Sequence, residues 1–142
     1  MLHHVQNYKK VISELIRISS NYIFIDSPRV HFGKNEIGKM NLSIRHPDAR
    51  LKNIKKNIVS YNVVNLKNYL IFLKKIFLKN KIYKVSFFCG ELPYSKKYLS
   101  FRKSFFFLTI LMEKNYENRK KIKYSLNTKS KKISLIFRKV FT

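Results

Sequence analysis

Apolar positions along this chain follow two different rhythms. In residues 5–19, VQNYKKVISELIRIS, the residues Val5, Tyr8, Val11, Ile12, Leu15, Ile16 and Ile18 recur at spacings of three and four, which predicts an amphipathic helix. A short apolar stretch, YIFI at 22–25, follows as a candidate strand. Between Asp26 and Leu51 lie all but one of the glycines and two of the three prolines, in DSPR, FGKN, IGK and HPDA. Such residues punctuate irregular or extended structure. The pattern thus predicts an N-terminal extension over residues 1–52, a helix followed by mostly irregular chain, wrapped on a partner or on the main domain.

From residue 53 onward the rhythm is regular. KNIVSY, 56–61, reads as a short strand with Asn62 as its exit and helix cap. In residues 63–80, Leu66, Tyr69, Leu70, Leu73, Ile76 and Phe77 share one side, while Lys67, Lys74, Lys75 and Lys79 lie largely away from it. That is the signature of a helix packed on a core. KIYKVSFFC, 81–89, alternates as a half-buried strand does. GELPYSKKYLS, 90–100, is a loop, and FRKSFFFLTIL, 101–111, is a strand rich in aromatics. A second helix is expected next, with Glu113 and Glu117 in its first turn and Arg119, Lys120, Lys121 and Lys123 later, as the helix dipole favours. KISLIF, 132–137, supplies a last strand with Ile133, Leu135 and Phe137 on one face. The expected class is therefore α+β, with residues 53–142 forming a β-α-β-β-α-β ferredoxin-like sandwich that carries an extended basic hairpin loop.

Length changes little in this picture: 142 residues suffice for one domain with a true core. Charge changes much. Thirty-one Lys and Arg against seven Asp and Glu give a net charge of +24. Residues 1–52 hold 9 basic and 4 acidic side chains, and residues 53–142 hold 22 and 3, so the surplus concentrates in the second part. Self-repulsion of this size opposes a compact state unless counter-charge is supplied. Polyphosphate is the first candidate, because each phosphate neutralised releases a condensed counterion; an anionic membrane surface is the second. The longest apolar run, FFFLTILM at 105–112, is too short for a spanning helix, which needs about 20 such residues. No membrane insertion and no secretory signal are expected.

Candidate chemistry is sparse. Cys89 is the single cysteine, so neither an internal disulfide nor a Cys-rich zinc site can be built. His3, His4, His31 and His46 have no metal-binding spacing, and no metal or cofactor is expected. There is no Gly-rich phosphate loop, nucleophile elbow or paired carboxylate, which argues against an enzyme and a small-molecule substrate. Lys, Asn, Ile, Phe and Tyr dominate, Ala49 is the lone alanine and tryptophan is absent. These abundant residues have A/T-rich codons, a bias pointing to an A/T-rich genome, such as an organelle's, rather than to a functional choice.

With these elements in place, the segment 56–138 resembles the small-subunit ribosomal protein S-ten family. Leu92-Pro93 stands where that family introduces its extended loop. Phe107-Leu108-Thr109-Ile110-Leu111 resembles its third strand, and Tyr124, Leu126, Thr128 and Ile133 fall at similar intervals. The family's Ser-Pro-His is replaced here by Met112-Glu113-Lys114-Asn115, and the first 52 residues have no counterpart. The resemblance implies a non-catalytic, rRNA-binding protein of the small-subunit head that supports translation. Its partners would be ribosomal RNA and neighbouring small-subunit proteins. An organellar ribosome, that of the mitochondrion, is the expected location.

Independently, the loop places Lys96, Lys97, Arg102 and Lys103 among Tyr94, Tyr98 and Phe101. Cations neutralise phosphate and aromatic faces stack on unpaired bases, so this mixture suits RNA. Arg119, Lys120, Lys121 and Lys123 form a second candidate group, with Arg119 and Lys123 expected on one helix side. The alternative function is a basic accessory subunit attached peripherally to an organellar membrane complex, using the amphipathic faces of 5–19 and 63–80.

Overall fold

The computed structural model describes residues 2, 5, 7–41, 58–91, 106–114 and 121–142. In chain order the elements are α1 (Tyr8–Ile18), β1 (Tyr22–Asp26), β2 (Arg29–His31), β3 (Glu36–Asn41), β4 (Ile58–Asn65), α2 (Leu66–Lys79), β5 (Ile82–Glu91), β6 (Phe106–Lys114), β7 (Lys123–Asn127) and α3 (Lys131–Phe141). The class is α+β. The strands form one mixed sheet in the order β3-β4-β2-β6-β5-β7, with β1 also paired to β6.

β6 organises the sheet because the apolar run at its centre is wanted in the interior. Leu108, Ile110 and Met112 are fully buried, so the greasy segment is a central strand. It pairs antiparallel with β5 on one side and with β1 and β2 on the other. Between Asp26 and Val30 the chain takes four steps while β6 takes three from Thr109 to Phe106, which is a bulge. Pro28, lacking an N–H, sits in it. Ser27 compensates: its N–H donates to Leu108 O and its Oγ accepts from Leu108 N–H, both at 3.0 Å.

All three helices lie on one side of the sheet. Leu66, Tyr69, Leu70, Leu73, Ile76 and Phe77 of α2 are buried, the face that the periodicity predicts. Burial of each large apolar side chain contributes about 1.5–3 kcal/mol. α3 brings Ile133, Phe137 and Val140 to the same core, where Phe137 meets Phe87 of β5 edge-on with ring centroids 4.8 Å apart. α1 adds Ile12 and Ile16, and its Tyr8 packs edge-on against Tyr69 and Phe72 of α2.

Asn65 joins three elements. Its Oδ1 accepts from Asn68 N–H at 3.1 Å and caps α2, while its Nδ2 donates to Phe32 O and Gly33 O in the turn after β2. Gly33 is needed in that turn, because a Cβ there would meet the buried His31 ring at 2.9 Å. At the other end of α2, Lys81 adopts a left-handed φ of 56° and turns the chain into β5.

Four expectations are corrected. The candidate strand at 22–25 is β1, but residues 26–41, expected as irregular or extended chain outside the domain, supply β2 and β3 to the same sheet as β4 and β6. Pro28 and Gly33 mark the bulge and the turn between strands, and Gly38 lies within β3 opposite Tyr61. Asn62 does not cap α2; it is buried inside β4, where its amide donates to Val5 O, and the strand runs on to Asn65. The segment 132–137 is not a strand but the start of α3. Lys123–Asn127, expected at the end of a second helix, is strand β7, parallel to β5. From residue 58 the described order is therefore β-α-β-β-β-α, and it does not reproduce the ferredoxin-like order.

Candidate nucleic-acid interface

Side chains alternate across a strand, so a sheet covered by helices on one side presents its other residues to the opposite side. On that opposite side, three rows cross β1, β6, β5 and β7. Tyr22, Glu113, Lys84 and Lys123 make the first row by strand register. Phe24, Leu111, Ser86 and Ser125 make the second, and Asp26, Thr109, Phe88 and Asn127 the third.

The large apolar side chains in these rows are exposed. Tyr22 and Phe24 are each 67% exposed, Phe88 44% and Leu111 37%. Beside these apolar groups stand hydrogen-bonding pairs. Thr109 Oγ1 donates to Asp26 Oδ1 at 2.8 Å, and Ser125 Oγ donates to Ser86 Oγ at 2.9 Å. At one end Lys84 Nζ pairs with Glu113 Oε2 at 2.6 Å, while exposed Lys123 lies opposite Lys84 on the neighbouring strand. With Lys84 neutralised by Glu113, Lys123 leaves this end of the face with one exposed positive charge.

A second basic concavity lies where α2, the start of β7 and the end of α3 meet. Lys74, Lys121 and Lys123 line it together with Leu78, Ile122, Tyr124 and Phe141. Lys74 Nζ donates to Val140 O at 2.6 Å, so this lysine ties α2 to α3 as well as bordering the groove.

Of the residues singled out from the sequence, Tyr94, Lys96, Lys97, Tyr98, Arg102, Lys103, Arg119 and Lys120 lie outside the described residues. Lys121 is exposed just before β7, and Lys123 is its first residue. Lys123 is thus on a strand, and the expected sharing of a helix side with Arg119 does not arise. Among the described residues, no group of three or more His, Cys, Asp or Glu is placed to hold a metal, and no helix is long and apolar enough to cross a membrane.

Sequence reasoning missed the aromatic face. A signal was present: FFFLTILM offers only Thr109 as a polar alternate, so a strand with one face in the core must show apolar groups on the other. Comparison with family models, with characterised proteins and with solved structures gives no match.

Proposed function

We propose that this chain is a non-catalytic RNA-binding structural protein, and that its RNA is ribosomal, in the small subunit of an organellar, mitochondrial ribosome. The observation that carries the RNA reading is the uncompensated charge. Seven acids cannot neutralise 31 bases, and among the described residues Glu14 is paired with Arg17 and Glu113 with Lys84. The remaining surplus calls for an external polyanion. The small-subunit assignment rests on the S-ten-like motifs Leu92-Pro93 and Phe107–Leu111 and on their spacing. The order of the last two elements differs from that family's, so topology lends this part no weight.

The membrane-attached alternative loses one of its two contact faces, because the apolar side of α2 is buried in the core. α1 still exposes Leu15 and Ile18.

Sedimentation of native particles through a high-salt cushion tests the proposal. Co-migration with small ribosomal subunits is expected. Release from the organelle only by detergent, in a fraction free of RNA, would overturn it.

A further inference from the structure

We infer that the face of the sheet opposite the helices is a binding site for unpaired RNA nucleotides, with Phe24 and Phe88 as stacking platforms and Lys123 as a phosphate contact. The inference rests on the RNA-binding reading above and adds the place and the form of RNA bound.

Exposed apolar groups scattered over a surface need no explanation, but clustered ones do. Among the described residues nine large hydrophobic side chains are exposed, and Tyr22, Phe24, Phe88 and Leu111 stand together on this one face. Three of the four are aromatic, and a ring exposed on a hydrogen-bonded strand is a ready surface for a base. Tyr22 and Phe24 are alternate residues of β1, which places them about 7 Å apart along the strand. That interval is comparable to the phosphate-to-phosphate step of an extended polynucleotide.

The remainder of the face selects RNA over a protein partner. A protein-binding patch of this kind would have a broad apolar centre. Here the apolar group is small: Tyr22, Phe24 and Leu111 adjoin, Phe88 stands diagonal to Leu111 beside Thr109, and the Asp26–Thr109 and Ser86–Ser125 hydrogen-bonded pairs border it. Those hydroxyls can meet ribose 2′-OH groups and base edges. The carboxylate of Asp26 repels phosphate but accepts from an exocyclic amine, so it favours a base over a backbone at that corner. At the opposite end Lys84 is paired with Glu113, while its register partner Lys123 is exposed, a cation placed to meet a phosphate. Backbone is thus expected along the Lys84–Lys123 end and bases over Phe24 and Phe88.

The test uses the full chain and two fluorescently labelled probes of equal length, an unstructured oligouridine and a duplex RNA. Phe24→Ala and Phe88→Ala are each expected to weaken oligouridine binding by about tenfold or more, with duplex binding unchanged. Rings release no counterions, so the salt dependence of the remaining affinity should keep its slope. Lys123→Ala is expected to weaken both probes and reduce that slope by about one. Phe24→Trp keeps a stacking surface and should bind oligouridine as the unaltered protein does. Both phenylalanines are exposed, and unchanged thermal melting separates lost stacking from lost folding.

If the unaltered protein binds RNA and both alanine variants bind equally well, the site is wrong while the RNA reading stands. If the variants lose co-migration with the particle but keep oligouridine affinity, the face is occupied by a protein and the inference falls. If the unaltered protein binds neither probe, the RNA reading itself fails.

Discussion

The hydroxyl of Tyr69 is buried beside Tyr8 and Phe72 with no hydrogen-bond partner among the described residues. Burial pushes its pKa well above the ordinary value, and a charged Tyr8 nearby would push it further. Because the folded state holds this proton more tightly than the unfolded chain, stability is intact below about pH 10 and declines as pH rises beyond it. Tyr69→Phe removes both the unsatisfied hydroxyl and this titration. It is expected to stabilise the protein by about 1 kcal/mol at neutral pH and to delay alkaline unfolding. Urea melts at pH 7 and pH 11 check both effects, and a loss of stability at pH 7 would reveal a partner for the hydroxyl. Single residues also explain what was readable. The six α2 side chains assigned to the core are the six that are buried, because burial of a long amphipathic helix follows its own spacing.

At the level of elements, the C-terminal segment shows how a short window misleads. Ile133, Leu135 and Phe137 alternate as in a strand, yet Ile133, Phe137 and Val140 also share a helix face. Ser130 decides the local start, its Oγ accepting from Ile133 N–H at 3.3 Å as an N-cap. Leu135 then points away and is 56% exposed, which a strand with 133 and 137 inside would not permit. Leu135→Glu is therefore expected to change stability by less than about 0.5 kcal/mol. Phe137→Ala should cost about 3–5 kcal/mol. Similar large losses from both substitutions in denaturant titrations would argue for the strand. β7 was hidden for the opposite reason. Its half-buried Tyr124 and Leu126 alternate with exposed Lys123, Ser125 and Asn127, but the segment is too polar to announce a strand without its partner β5.

For the molecule as a whole, net charge acts on stability as well as on binding. Like charges on a folded surface repel more strongly than in an expanded chain, and salt screens them over a length falling from about 30 Å at 0.01 M to about 10 Å at 0.1 M. The melting temperature of the RNA-free protein should consequently rise over that range. Added polyphosphate should raise it at lower ionic strength still. A melting temperature that is flat or falls with salt would mean that attractive pairs outweigh the surplus, and the case for an obligatory polyanion would weaken.

The amino-acid sequence by itself determined α1, α2 with its buried face, the strand character of β1, β5 and β6, and the net charge of +24. Each of these depends on periodicity within one segment or on a sum over all residues, and neither needs to know what lies nearby. Tertiary structure alone decided that residues 29–41 enter the sheet, that β7 pairs with β5, that residues 131–141 form a helix, and which apolar side chains of β1, β6 and β5 stay exposed. Strand pairing joins residues distant in the chain, as when Asp26 meets Thr109, and no local pattern encodes the partner. The aromatic face exists only because three helices stack on the same side of that sheet.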